Sequence, residues 1–284
     1  MNKPADHTSD TGLNNPVAQA YNLGNISIRI SPPERGGSCA RPDAVTAVEQ
    51  HMTKPARQYK NRILAALPKV ELNRLAPHLT PVILKTRTQL LDGKAEHAYF
   101  MEEGLASVVL TLADGATVEV GVIGIEGVVG VPMLLGAATV PGETFIQVAG
   151  SGYRIDAQRL KNEFERAGQL RNLIQKYMVA HMVQSAQGAA CNRLHSISER
   201  LARWILTCHD RVQADRMPLT QEFLGQMLGA PRTTVTLAAG LLHQAGLIEY
   251  ARGHVTIKDR AGLENVACEC YATVRNEFTR LGLL

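Results

Sequence analysis

Side chains that can form hydrogen bonds with nucleic-acid bases recur along one side of a predicted helix near the carboxyl end of the chain. The helix is predicted to begin at Pro231 and to end before Gly246. Its apolar side consists of Val235, Ala238, Leu242 and, more loosely, Leu241. Its opposite side consists of Arg232, Thr233, Thr236, Gly240 and His243. The spacing predicts a helix with one buried side and one side that is free to enter a groove.

A second helix is predicted just before this one. Thr220 is its expected N-cap, and Gly229 is expected to end it. Pro231 then occupies the start of the following helix, where a missing N–H and a fixed φ are tolerated. The apolar stripe of the first helix consists of Phe223, Leu224, Met227 and Leu228. This order predicts a helix-turn-helix.

A short hairpin is predicted after the two helices. Residues 247–250 and 254–257 alternate as two strands around a glycine turn that includes Arg252. The net charge of the whole chain is only +4, but the segment 230–258 carries three basic residues and one acidic residue. Positive charge is therefore concentrated where a recognition helix and a wing would meet the phosphates of DNA.

The segment 217–235, followed by Gly246-Leu247-Ile248, resembles the DNA-binding domain of the Crp/Fnr superfamily of bacterial transcription regulators. The likeness extends over roughly residues 60 to 281. It implies an α+β chain with an N-terminal antiparallel β-roll of the cyclic-nucleotide-binding type, a long dimerisation helix and a C-terminal winged helix-turn-helix.

The resemblance also assigns candidate DNA contacts. Arg232 aligns with the family's guanine-reading arginine, and its guanidinium fork suits the O6/N7 edge of guanine. Thr233 and Leu237 stand where the family often has a glutamate and a second arginine, so the preferred operator should differ from the familiar one. The full predicted DNA-binding set is Arg232, Thr233, Thr236, Gly240, His243, Thr220 and Arg252.

Composition and turn signals divide the chain into four predicted parts. Residues 1–57 contain six prolines and many polar residues and are expected to form a disordered tail. Residues 58–160 carry turn signals about ten residues apart, which is typical of an antiparallel barrel, with the clearest hairpin at Asp114-Gly115. Residues 161–208 are predicted to hold the dimerisation and linker helices, and residues 209–284 the DNA-binding domain.

The long helix carries a repeating apolar stripe. Leu170, Ile174, Tyr177 and His181 follow one another at alternating four- and three-residue steps. This spacing is typical of a seam between two helices and predicts a homodimer that is held together through these four residues. Trp204, on the following helix, is predicted to be a core residue.

The glycine-rich segment 121–130 occupies the place of the family's phosphate-binding cassette. Val128 stands at the position of the ribose-binding glutamate, and Glu143-Thr144-Phe145 replaces the triplet in which an arginine holds the cyclic phosphate. Cyclic AMP is therefore not expected to bind, because an anion replaces the phosphate-binding cation. The candidate effector pocket consists of Gly127, Val128, Gly130, Glu143 and Thr144, although these glycines could also serve only as barrel turns.

No metal site and no cofactor are expected. Only Cys39 lies near the N-terminus, which excludes the iron–sulfur cluster of one family branch by ligand count. Cys268 and Cys270 are placed about 200° apart on one predicted helix over 261–281, so they are not expected to share a metal ion. Redox sensing by Cys191, Cys208 or this pair, and a haem ligand among His97, His181 and His195, remain open alternatives.

Taken together, the sequence indicates a cytoplasmic bacterial regulator. It lacks catalytic motifs, so an enzyme is not expected, and it lacks a signal peptide or an unbroken apolar segment long enough to span a membrane. The expected partners are double-stranded DNA with a palindromic site and a second copy of the chain. RNA polymerase is a further candidate partner, and the effector is left open. The alternative is a small-molecule sensor whose helix-turn-helix binds another protein.

Overall fold

The computed structural model describes residues 59–94, 96–137 and 139–284. The tail predicted to be disordered lies outside these residues. Within the described residues, no helix combines the length and the apolar character needed to cross a bilayer.

Two antiparallel four-stranded sheets form the first half of the described chain. In chain order the strands are β1 (Thr80–Leu84), β2 (Gln89–Lys94), β3 (His97–Met101), β4 (Leu105–Thr111), β5 (Thr117–Ile123), β6 (Val128–Val129), β7 (Thr139–Val148) and β8 (Gly150–Asp156). One sheet has the order β1-β8-β3-β6 and the other β2-β7-β4-β5. The predicted hairpin at Asp114-Gly115 is confirmed, because Thr111 pairs with Thr117 and the Ala116 N–H donates to the Asp114 carboxylate over 2.9 Å.

Helices flank the two sheets and lead out of them. They are α1 (Arg62–Ala65), α2 (Lys69–Leu75), α3 (Val131–Leu134), α4 (Ala157–Glu165) and the long α5 (Gln169–Leu194). Asp156 caps α4 by accepting from the Arg159 N–H. The Glu71 carboxylate accepts hydrogen bonds of 2.8 Å from the first two N–H groups of α5, those of Gln169 and Leu170. Both contacts fix the start of a helix at the edge of the β-roll.

The apolar stripe of α5 packs against the chain's own β-roll. Leu170, Ile174 and Tyr177 are buried in one core with residues of both sheets. The predicted dimer seam through these residues is therefore corrected, since a second subunit cannot reach side chains that the chain itself encloses. His181, the fourth predicted seam residue, is partly buried, and its ring is tilted against the Tyr177 ring with the two centroids 5.8 Å apart.

The remaining elements form the C-terminal region. They are α6 (Ile197–Val212), β9 (Arg216–Pro218), α7 (Gln221–Leu228), α8 (Arg232–Gln244), β10 (Ile248–Ala251), β11 (His254–Ile257), α9 (Arg260–Val266) and α10 (Cys270–Arg280). Ser196 and Glu199 form a capping box at the start of α6. A second core joins α6 to α9, and it includes Trp204, whose predicted burial is confirmed. The architecture expected from the sequence, a β-roll, a long helix and a winged helix-turn-helix, is confirmed.

Two details of the C-terminal region differ from the prediction. Leu241 is exposed, so it does not belong to the buried side of α8, where Ala239 is buried instead. The helix expected over 261–281 is broken, because α9 ends at Val266 and α10 begins at Cys270. Cys268 lies in the turn between them, and the argument that kept it away from Cys270 no longer holds.

Candidate nucleic-acid interface and effector cavity

The turn between α7 and α8 has the geometry that the sequence predicted. The Thr220 hydroxyl caps α7 by accepting from the Phe223 N–H over 3.2 Å. Gly229 has a φ of +56° and ends α7 in the left-handed conformation that favours glycine. Pro231 immediately precedes the first residue of α8. These contacts set the angle at which α8 leaves the turn.

The predicted recognition side of α8 faces solvent. Arg232, Thr233, Thr236 and His243 are exposed, and Gly240 is partly buried. The opposite side is buried through Val235, Ala238, Ala239 and Leu242. Leu237 lies in the middle of the exposed side with 71% of its surface exposed, and such an apolar side chain can contact a thymine methyl group.

Three of the predicted DNA contacts already have partners inside the protein. The Thr236 hydroxyl lies 3.0 Å from the Gln221 amide oxygen and 2.9 Å from the Arg232 carbonyl oxygen. The His243 Nδ1 lies 3.1 Å from the Ile248 carbonyl oxygen. Thr220 is the cap of α7. Gln221, which sequence reasoning missed, therefore orients the recognition helix, and only its position beside the cap could have indicated this.

The guanidinium of Arg232 makes no hydrogen bond and no ion pair with any residue that the structure describes. It is exposed at the first turn of α8. A free guanidinium at this place is available for a bidentate contact with a base.

The wing is held against the helix-turn-helix. Its strand β10 pairs with β11, and β11 pairs in turn with β9. The Tyr250 hydroxyl donates to the Leu219 carbonyl oxygen over 3.0 Å. Arg252 is exposed at the tip, with a φ of +49°, followed by Gly253 at +74°. The wing therefore presents one basic side chain beyond the recognition helix.

The helix-turn-helix contacts the β-roll. Trp204 of α6 donates its indole N–H to the Glu119 carboxylate of β5 over 2.6 Å. Phe223 of α7 packs edge-on against both Trp204 and Phe145, with ring centroids 6.4 Å apart in each case. Burial raises the pKa of the Glu119 carboxyl to about 7, although hydrogen bonds from Ser107 and Trp204 oppose that rise. The contact between the two domains thus includes a group that titrates near neutral pH.

The candidate effector residues lie beside a cavity of about 340 Å³ in the β-roll. Val128, Gly130 and Thr144 line it, together with Tyr177 and His181 from α5. Gly127 lies behind the Tyr177 ring, because a Cβ on Gly127 would approach that ring to 2.5 Å. Glu143 is exposed and does not line the cavity, so its place in the predicted pocket is corrected.

The cavity is apolar. Among the described residues that line it, none is a lysine or an arginine. The Tyr177 hydroxyl and the His181 Nε2 are buried without a hydrogen-bond partner among the described residues. Burial, together with the nearby Arg211, lowers the pKa of His181 to about 4, so this imidazole is neutral at physiological pH. The lining suits a small, mostly apolar molecule better than a phosphate.

The described chain thus combines a β-roll with an internal cavity, a long helix, and a helix-turn-helix with an exposed second helix and a wing. Residues 199–266 match the model of the Crp-like helix-turn-helix domain. The chain has the fold of the Crp/Fnr transcription regulators, which confirms the resemblance seen in the sequence.

Solved structures of several bacterial regulators are similar to this chain. A Crp/Fnr-family regulator from Eubacterium rectale aligns with a TM-score of 0.57 at 15% identity, covering 70% of this chain and 94% of that one. FixK2 from Bradyrhizobium japonicum aligns with a TM-score of 0.58 at 17% identity, covering 67% and 98%. The c-di-GMP-responsive global regulator CLP of Xanthomonas campestris gives 0.56 at 17% identity, covering 67% and 99%. No curated protein matches the chain in sequence.

Proposed function

We propose that this protein is a sequence-specific DNA-binding transcription regulator that acts as a homodimer. Each subunit would place α8 in the major groove of one half of a palindromic site, with the half-sites about one helical turn apart. The observation that carries this proposal is the exposed side of α8, where the guanidinium of Arg232 lies at the first turn without a partner among the described residues. In a bacterium such a regulator would work in the cytoplasm, because the chromosome lies there.

Binding to DNA can be tested directly. Genomic mapping of the sites that the protein occupies would supply the operator, and fluorescence anisotropy on that operator would give the affinity at several salt concentrations. We expect the affinity to fall steeply as salt rises, because phosphate contacts release counterions. A protein whose helix-turn-helix binds another protein would show no such affinity for duplex DNA.

Removing the guanidinium of Arg232 should weaken specific binding. We expect Arg232→Ala to cost about 1–3 kcal/mol of binding free energy on the operator and to relax the preference at one base pair per half-site. Arg275→Ala is the matched control, since Arg275 is an exposed arginine on α10, outside the predicted contacts. Unchanged affinities of Arg232→Ala for operator and random DNA would show that another residue reads the base.

We propose that the dimer interface lies on the outer face of α5. Its exposed residues Gln175, Val179, Met182, Ala186 and Ala189 follow one another at steps of four, three, four and three residues. Val179 is 46% exposed and Met182 is 70% exposed, although both are apolar. A heptad stripe that the chain leaves uncovered is typical of a two-stranded coiled coil, so a second copy of α5 is the proposed occupant.

A charge on this outer face should separate the subunits. We expect Met182→Glu to sediment as a monomer and to lose most specific DNA binding, because each half-site supplies only half of the contacts. Lys176→Glu is the control, since Lys176 is exposed on the same helix about a third of a turn away from Met182. If the wild-type protein sediments as a monomer at micromolar concentration, this interface is wrong.

The regulator is also proposed to work without cyclic AMP. Titration calorimetry should detect no micromolar binding of cyclic AMP or cyclic GMP, because the described residues that line the cavity offer no lysine or arginine for the phosphate. DNA binding should be the same with and without either nucleotide, since a ligand shifts an equilibrium only through differential affinity. Micromolar binding that is abolished by a substitution at Thr144 would contradict this proposal.

A further inference from the structure

Three cysteines and one histidine meet at a place that DNA recognition does not use. One ligand atom each from Cys191, His195, Cys268 and Cys270 lies within 4.8 Å of the other three. The three thiols are buried, and they form a cluster separate from both apolar cores. We propose that these four side chains bind one Zn²⁺ ion and that the ion ties the long helix to the C-terminal segment.

The chain brings the four ligands together from two directions. Cys191 and His195 are four residues apart at the end of α5, so they lie on the same side of that helix. Cys268 lies in the turn after α9, and Cys270 is the first residue of α10. Because the turn separates these two cysteines, both sulfur atoms can face the end of α5.

The observed distances suit a tetrahedral ion. The Sγ atoms of Cys191 and Cys268 are 3.5 Å apart, and the Sγ of Cys270 is 3.5 Å from the His195 Nδ1. Ligands bound to zinc at about 2.3 Å for sulfur and about 2.0 Å for nitrogen lie roughly 3.5–3.8 Å apart in a tetrahedron. Four side chains this close fit around a single ion, whereas an iron–sulfur cluster has several metal atoms to accommodate.

The groups around the cluster orient its ligands. The Nε2 of His195 lies 3.2 Å from the Glu269 carboxylate, which leaves Nδ1 to face the sulfur atoms. Histidine ligands of zinc commonly donate their other N–H to a carboxylate in this way. The Gln187 amide donates to the Cys270 Sγ over 3.1 Å. These contacts hold both the imidazole and one sulfur in the orientation that a bound ion needs.

Nearby cations balance the charge that the bound site would carry. Three thiolates, a neutral imidazole and Zn²⁺ leave one net negative charge. The guanidinium groups of Arg200 and Arg203 on α6 interact electrostatically with Cys191. The site therefore fits among α5, α6 and the start of α10 without an uncompensated buried charge.

Metal content and cobalt spectroscopy test the proposal. The full-length protein is purified under reducing conditions, loaded with zinc and passed over a desalting column. It should retain one zinc per chain. Substitution with Co²⁺ should give the intense visible absorption of tetrahedral thiolate coordination. Cys268→Ser should lose both signals, while Cys208→Ala should keep them, because Cys208 is buried in α6 away from the cluster.

A variant at an exposed residue distinguishes loss of zinc from loss of folding. Glu269 is 75% exposed at its side chain, so Glu269→Gln should leave the fold intact. We expect this variant to bind zinc about 10–100-fold more weakly in a chelator competition. Losses of this size are usual when the carboxylate that accepts from the other ring nitrogen of a zinc-bound histidine is replaced. Zinc should also raise the melting temperature of the wild type and not that of Cys268→Ser.

Several results would overturn the zinc site. These are an absence of retained zinc in the wild type, an unchanged zinc affinity in Glu269→Gln, or equal loss of zinc in Cys208→Ala and Cys268→Ser. A Cys191–Cys268 disulfide that persists in the protein purified from reducing buffer, or the presence of acid-labile sulfide, would also replace the proposal by another chemistry of the same cysteines.

Discussion

Glu126→Ala should lower the free energy of unfolding by about 3–5 kcal/mol, because it leaves a buried arginine without its carboxylate. The side chains of Glu126 and Arg211 are 0% and 3% exposed, and the Arg211 Nε donates to the Glu126 Oε1 over 2.8 Å. The Glu126 Oε1 also accepts from the Gly124 N–H over 3.1 Å. Chemical denaturation at neutral pH measures the effect.

The remaining contacts of Arg211 explain why its charge stays in place in the variant. Its other nitrogens donate to the Gln184 amide oxygen of α5 over 2.8 Å and to the Thr207 carbonyl oxygen over 3.0 Å. Its guanidinium also lies 5.3 Å above the centre of the Phe278 ring of α10. Arg211 thus joins the β-roll, the long helix, α6 and the last helix.

A matched double variant separates the lost ion pair from lost packing. Glu126→Leu combined with Arg211→Met removes both charges and keeps most of the volume, so it should be much closer to wild type than Glu126→Ala. If Glu126→Ala costs less than about 1 kcal/mol, or if the double variant is as unstable as the single one, the pair is not what holds these elements.

The helix-turn-helix could be predicted from the sequence because its signals are local. The cap at Thr220, the left-handed turn at Gly229 and the start of α8 after Pro231 depend on neighbouring residues alone. The exposed position of Arg232 follows from the same local register. Long-range pairing was not needed for any of these features.

The partner of a helix face could not be predicted in this way. The apolar spacing through Ile174 and Tyr177 correctly indicated a buried side of α5, but periodicity gives only the angle of a side and not what covers it. The chain's own β-roll covers that side, and the stripe through Met182 stays exposed.

The cysteine cluster was missed for a related reason. The C-terminal helical pattern was extended through residues 267–269, because no glycine or proline marks the break there. Glu269, at the start of α10, makes no side-chain cap that a sequence motif would reveal. The meeting of Cys191 with Cys268 joins residues 77 positions apart, and such a contact depends on tertiary packing.

Stability should depend on pH through Glu119, the carboxylate between the β-roll and α6. Burial raises its pKa from an ordinary 4.5 to about 7. Between these two values the folded chain keeps a proton that the unfolded chain has released, so raising the pH through this range destabilises the fold. From pH 4 to pH 8, the free energy of unfolding should therefore fall by roughly 2–3 kcal/mol through this group. This range already allows for the partial exposure of Glu119.

Other groups face Glu119 and titrate or carry charge. Arg203 and Arg211 of α6 oppose the rise of its pKa, and burial raises the pKa of the Cys208 thiol well above its usual range. His181 has the opposite effect on the pH profile, since its pKa falls to about 4 and it favours the fold as the pH rises towards 6.5. Because Glu119 and His181 have opposite effects, the free energy of unfolding of the wild type should depend less on pH than Glu119 alone would predict.

Comparing Glu119→Gln with the wild type isolates the contribution of Glu119. The neutral amide cannot ionise, so the variant should gain about 2–3 kcal/mol relative to the wild type as the pH is raised from 5 to 8, measured by urea unfolding at several pH values. Glu165→Gln is the control, because Glu165 is exposed on the surface of the β-roll domain and should follow the wild-type profile.

Trp204 gives a local readout of the same event. It is the single tryptophan of the chain and donates its N–H to Glu119, so its fluorescence should titrate with an apparent pKa near 7 in the wild type and not in Glu119→Gln. Ionisation there changes the contact that holds α6 and α7 against the β-roll, which places a neutral-pH charge change between the cavity and the recognition helix. Parallel stability profiles of the two proteins, together with a fluorescence signal that does not titrate, would show that Glu119 is ionised throughout this range.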